Sequence, residues 1–275
     1  PAALETDLMA RQLDQLRSGQ TIVYSFHQGY RWAFSCILCY ITVKNSPIYF
    51  IQVFMMYQLN DLTLLGKGGY KLVYQHPTDE SKAIKVMNPN RINDNGEWAH
   101  LGRFKRGHAQ GVYKQFRREV LQYLQLCKNH YKHNIFSFPI ETPYGFVETD
   151  QGLGLVVEKI ISPNGNGITL HELCRTGEFN DTHAKALDEF FDACCDLHIV
   201  YGEVNIAGIM YSEKRSGKPE FVLVDGMGDK LFIPLRAMSK SLNAKNVRKI
   251  EGRIRHKMDE LLQSAQQNQI ENRAA

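Results

Sequence analysis

A mixed α+β fold, with a strand-rich first lobe and a reduced helical second lobe, is predicted by three features of the sequence. From Leu62 to Val86, apolar residues and glycines alternate as strand, glycine turn, strand. Gly145 to Ile160 alternate again around an Asp-Gln-Gly-Leu-Gly centre that reads as a hairpin turn, and beyond Ser162 apolar residues recur at helical spacing. The 275 residues are 43% hydrophobic and 23% charged, a globular composition that excludes disordered, collagenous and repeat architectures. Cores beyond about 250 residues tend to split. The Pro- and Gly-bearing loop Ser162 to Gly167 is the expected hinge. The expected divisions are an amino-terminal extension at 1–55, a first lobe at 56–161, a second lobe at 162–265 and a polar tail at 266–275.

In chain order, the first 55 residues carry two apolar runs, Ala33 to Val43 and Ile48 to Met56, separated by Lys44 and Pro47. Neither is long enough to span a bilayer, and a central lysine alone costs about 2.5 to 3.5 kcal/mol on insertion. The stretch reads as an extension outside the fold, with a membrane-associating anchor over 33–56 as the alternative. The six cysteines form no regular framework, which favours a reducing, cytoplasmic setting. Cys36 and Cys39 make a C-x-x-C without a second ligand pair, so no metal site is expected.

The turn Gly66-Lys67-Gly68-Gly69 ahead of Val73 lets backbone N–H groups approach a polyphosphate closely. Lys85 then lies among apolar strand residues, where it needs an anionic partner. The candidate is Glu119, on a predicted helix where Phe116, Val120, Tyr123 and Leu124 recur at helical spacing. Thr169 to Cys174 and Thr182 to His198 read as further helices. The second starts after the capping residues Asn180 and Asp181 and carries Leu187, Phe190, Phe191, Cys194 and Leu197 on one stripe. Cys194 and His198 share that stripe and read as core.

Next come Tyr201-Gly202-Glu203-Val204-Asn205-Ile206-Ala207-Gly208 and Phe221-Val222-Leu223-Val224-Asp225-Gly226-Met227-Gly228. With these in place, the chain from about Leu59 to about Arg255 resembles the protein-kinase-like fold, and within it the YrbL family of PhoP-regulatory-network proteins. The blocks that carry the resemblance are Gly-Lys-Gly, Tyr-Gln-His-Pro, Ile-Lys-Val, Val-Glu-Thr-Asp-Gln-Gly-Leu-Gly, Ile-Thr-Leu, and Asp225 followed by Ile233-Pro234-Leu235.

The resemblance implies a two-lobed kinase-like protein that binds ATP and Mg²⁺, with Gly66, Gly68, Gly69, Val73, Lys85 and Glu119 on the nucleotide side. Ala83-Ile84-Lys85 matches the V-A-I-K strand, and Asp225 takes the place of the D-F-G aspartate as metal ligand, in a motif one residue longer. Tyr201-Gly202-Glu203 takes the place of H-R-D, which makes Glu203 the catalytic base. Gly208 replaces the asparagine that holds a second magnesium, with Asn205 as the nearby substitute. No A-P-E sequence follows Asp229. The implied function is phosphotransfer to a small-molecule or protein acceptor. Against it stand a pseudokinase acting through its surface, and nucleic-acid binding through Arg103 to His108, Lys114, Arg117, Arg118 and the basic face of a helix over Lys245 to Lys257. The net charge of +4 is too mild to call for nucleic acid by itself.

Overall fold

Valine, isoleucine and aromatic residues at alternate positions suit a pleated, half-buried surface, and they build an eight-stranded sheet. Its strands are β1 (Ile22–Ser25), β2 (Arg31–Val43), β3 (Ser46–Tyr57), β4 (Leu64–Lys67), β5 (Lys71–Gln75), β6 (Lys82–Met87), β7 (Pro143–Thr149) and β8 (Gly152–Glu158). They lie in the order β1-β2-β3-β7-β8-β6-β5-β4. The structure is a computed structural model that describes residues 22–25, 31–43, 46–100, 109–162, 165, 167–229 and 234–274. Side chains are described from Met56 onward, outside residues 269 and 271–274. The segment Arg103 to His108 and Ile233 therefore fall outside the described residues, as do the side chains of Cys36 and Cys39.

The chain forms two compact units, one over 1–79, 83–92 and 145–156, the other over 80–82, 93–144 and 157–275. This division replaces the single cut expected near residue 162, and it groups the helix bearing Glu119 with the second unit. The stretch 1–55, expected outside the fold, contributes strands: β2 and β3 pair antiparallel from Ala33↔Met56 to Val43↔Ser46. β3 then reaches β7 in parallel, through Met56↔Glu148 and Tyr57↔Thr149. The apolar core of the first unit gathers Tyr57, Leu59, Ile84, Val86 and Val156. Asp150, in the β7–β8 turn, fastens the entry to this core. Its Oδ1 accepts from the Leu59 N–H at 2.9 Å, and its own N–H donates to the Tyr57 carbonyl at 3.0 Å.

The second unit holds α1 (Lys114–Asn129), α2 (Leu170–Thr176), α3 (Asp181–Asp196), α4 (Leu235–Met238) and α5 (Lys240–Ala274). A small sheet runs beside them in the order β11-β10-β9, with β9 at Ile168–Thr169, β10 at Ile209–Ser212 and β11 at Glu220–Leu223. The caps are written in the sequence. Thr169 and Glu172 close a capping box on α2, and Asn180 with His183 closes one on α3. Leu187, Phe190, Phe191 and Cys194 of α3 pack with Val247, Ile250, Ile254 and Met258 of α5 in one core. Removing each large side chain from water contributes about 1.5–3 kcal/mol. Burial holds the Cys194 thiol well above its ordinary pKa, as expected of a core residue. The polar tail expected at 266–275 instead continues α5 to Ala274, because its Gln, Glu and Ala residues are strong helix formers that need no apolar stripe. Among the described residues no helix is long and apolar enough to cross a membrane.

Candidate functional site

In the first unit, β4 and β5 close the glycine turn. The Gly68 N–H donates to the Lys71 carbonyl at 2.9 Å, and a bulge between Leu64 and Gly66 shifts the ladder. A Cβ added at Gly66 or Gly69 would meet nothing within 4 Å. The protein itself therefore does not require glycine there, and the backbone stays open to a ligand. On the adjoining ladder Val73 pairs directly with Lys85, which puts the two predicted residues side by side on one face. Lys85 is only 5% exposed.

The second unit brings together Glu203, Asn205, Gly208 and Asp225 by locking two backbone segments against each other. The Gly202 N–H donates to the Gly226 carbonyl at 2.8 Å, and the Gly228 N–H donates to the Val200 carbonyl at 2.7 Å. The Gly208 carbonyl accepts from Val224 at 2.8 Å and from Asp225 at 3.3 Å. The fit is tight enough to dictate residue type. A Cβ at Gly202 would lie 2.6 Å from the Gly228 carbonyl oxygen, closer than real contacts allow, and Gly228 itself has φ +82°. Tyr201, in the histidine's place, is wholly buried and donates its hydroxyl to the Asn205 carbonyl at 3.1 Å. Burial pushes its phenol well above the ordinary value, so it remains a donor.

Helices on two sides brace this loop. Gln122 of α1 accepts from the Val200 N–H at 3.0 Å. Asn243 and Asn246 of α5 donate to the carbonyls of Ile199 and Tyr201 at 2.8 and 2.9 Å. Arg118, one residue before Glu119 on α1, donates from Nη2 to Glu203 at 3.1 Å, with 14% and 31% of the two side chains exposed. Past Asp225, the Asp229 carboxylate accepts from the Arg236 N–H and Nε at 3.2 Å each. The Arg236 carbonyl in turn accepts from His198 Nε2 at 2.6 Å.

None of these bracing residues was singled out from the sequence. Their signal was there: Asn243 and Asn246 are polar residues leading into the apolar stripe Val247, Ile250, Ile254, and Arg118 and Gln122 stand one helical turn apart. Glu119 itself is buried, at 5% exposure.

Asn205 and Gly208 are linked sterically. A Cβ at position 208 would lie 3.1 Å from Asn205 Nδ2 and 3.0 Å from the Asp225 carbonyl oxygen. The Asn205 amide thus fills the room a side chain at 208 would take. Among the described residues no group of three or more His, Cys, Asp or Glu side chains could hold a metal. A half-buried Asp225 with the Asn205 amide nearby does fit Mg²⁺ that arrives with phosphate oxygens, because that ion keeps waters and accepts one or two carboxylates. On α5, Arg248 is tied to Asp192 and Glu251, and Arg255 to Asp188 and Glu251. Part of the basic face expected there is therefore already neutralised.

The fold and the site define an α+β protein whose conspicuous loop is a glycine-locked pair of segments carrying acidic side chains. Residues 57–259 match the model of the family described as PhoP regulatory network protein YrbL, and the chain belongs to that family. The uncharacterized protein YrbL of Escherichia coli (strain K12) is 27% identical over 189 residues, which cover 67% of this chain and 80% of that protein. The uncharacterized protein YrbL of Shigella flexneri is similar to the same extent.

Proposed function

We propose that this chain is a cytoplasmic, kinase-like ATP- and Mg²⁺-binding protein of the YrbL type, with phosphotransfer to a small-molecule or protein acceptor as its reaction. The observation that supports this most is the backbone lock that sets Glu203 and Asn205 beside Asp225. A side chain at Gly226, next to Asp225, would come within 3.2 Å of Glu203 Cβ. Bound ATP and Mg²⁺ would supply the transferable phosphoryl group and the charge that neutralises it. The open glycine turn would receive the phosphates on backbone N–H groups, Val73 would cover the base, and Lys85, positioned by Glu119, would contact phosphate oxygens. Asp225 would hold the metal, with Asn205 supplying an amide oxygen in place of the missing asparagine at 208. Glu203 would take the acceptor's proton.

A pseudokinase that binds nucleotide and works through its surface is the second reading. It is favoured by the Arg118–Glu203 ion pair, which engages the would-be base, and by Gly208.

The test is thermal unfolding with ATP, with and without Mg²⁺. Ligand at about 100 times its dissociation constant adds roughly 2.7 kcal/mol, or about 5–10 °C at this chain length. Lys85→Ala should lower the shift, and Asp225→Asn should erase the magnesium-dependent part alone. No shift in the wild type would dispose of the nucleotide reading. Turnover that falls with Glu203→Gln while binding persists would decide for the enzyme over the pseudokinase.

A further inference from the structure

The run from Gly66 to Val73 departs from the pattern Gly-x-Gly-x-x-Gly-x-Val at one place, where Lys71 stands for the third glycine. Its carbonyl, held by the Gly68 N–H at 2.9 Å, fixes it at the exit of the turn. On β5 side chains alternate, so Lys71 and Val73 emerge from the same face. Their ladder partners are Met87 and Lys85, which places Lys71 and Lys85 diagonally across two strands, about 7 Å apart at the backbone. Ile84 and Val86, of opposite parity, belong to the apolar core of the unit. The two lysines thus share the face that turns away from this core. Both are nearly wholly buried there, Lys71 at 6% and Lys85 at 5% exposure.

Two ammonium groups brought this close and largely removed from water repel each other, unless anionic charge spread over a comparable distance faces them. A single carboxylate matches one lysine. A polyphosphate chain, with several charged oxygens strung over successive phosphorus atoms, matches two. We propose that Lys71 is a second phosphate-binding residue, sharing with Lys85 the polyphosphate of the bound nucleotide. The inference rests on the nucleotide reading above and extends it. Charge-assisted hydrogen bonds from lysine to phosphate are among the strong ones in proteins, so losing one should weaken binding about ten- to a hundredfold.

The experiment is calorimetric titration of the full chain, without magnesium, with ATP, sodium tripolyphosphate and adenosine. The proteins are wild type, Lys71→Met, Lys85→Met, the double variant and Lys71→Arg, each first checked for an unchanged ligand-free melting point. The expected result is that each Met variant binds ATP and tripolyphosphate about ten- to a hundredfold more weakly. The double variant should lose tripolyphosphate altogether, and Lys71→Arg should bind nearly as the wild type does. If Lys71→Met binds both phosphate probes as tightly as wild type while Lys85→Met does not, the inference is overturned and the nucleotide reading stands. If tripolyphosphate binds through both lysines but ATP binds no tighter and adenosine not at all, the inference stands and the nucleotide reading falls. Wild type that binds no probe overturns both.

Discussion

The glycine turn of the first unit and the glycine-locked loop of the second use the same residue for opposite ends. At Gly66 and Gly69 a side chain would meet nothing, so glycine there keeps backbone open. At Gly202 a side chain would collide with the Gly228 carbonyl, so glycine there lets two backbones touch. The first arrangement rests on strand register between neighbours in sequence. The second rests on hydrogen bonds from Gln122, Asn243 and Asn246, far along the chain. A binding surface built the first way tolerates substitution in the free protein, whereas one built the second way does not.

The sharpest way to break this comparison is a pair of alanine substitutions. Gly202→Ala should destabilise the chain by about 3 kcal/mol, the upper range for overpacking against an unyielding neighbour. Gly69→Ala should stay within about 0.5 kcal/mol, as open surface positions do. Urea midpoints at constant m-value measure both, and equal losses would erase the distinction drawn here. Next in size is Asn243→Ala, which strands the buried Ile199 carbonyl and should cost about 1–3 kcal/mol. A loss below about 0.5 kcal/mol would mean that α5 does not brace the loop.

Arg118→Gln should cost only about 1 kcal/mol, since the Glu203 carboxylate is partly exposed. If Glu203 works as a base, however, the same substitution should move the pH profile of turnover, and Arg118→Lys should restore part of it. A profile unmoved by either variant would reduce the pair to a surface contact.

The smallest effect belongs to the cap of α3. His183 Nδ1 accepts from the Asn180 N–H at 3.1 Å, and burial holds its imidazole below the ordinary value of 6.5, with Glu178 and Glu213 pulling the other way. A group depressed in the folded state contributes stability that is complete above its unfolded pKa and fades as pH falls below it. Stability should therefore decline from about pH 6.5 downward, and His183→Gln should flatten that decline. A wild-type curve that stays level from pH 7 to 5 would contradict the assignment.

What was legible in the sequence follows the same division. The turn at Gly66 to Gly69, the strand of Lys85, the helix of Glu119 and the caps Thr169 and Asn180 are local patterns, and each element formed where its pattern predicted. Arg118 reaching Glu203, 85 positions away, is a tertiary contact that periodicity does not encode. β3 joining β7 through Met56 and Tyr57 was hidden for the same reason, since parallel pairing leaves no turn signal. The continuation of α5 to Ala274 was missed because its polar residues were read for burial rather than for helix propensity.

The contact between Asn205 and the empty Cβ position of Gly208 makes the two sites epistatic. A chain that once carried asparagine at 208 could not keep the present Asn205 rotamer, and a mutation returning asparagine to 208 would now meet an occupied space. Reversion therefore needs two changes, with 205 vacated before 208 is refilled. Any directed-evolution route toward an ordinary metal-binding loop should be seeded at Asn205, because from the present sequence the single step at 208 leads downhill in fitness.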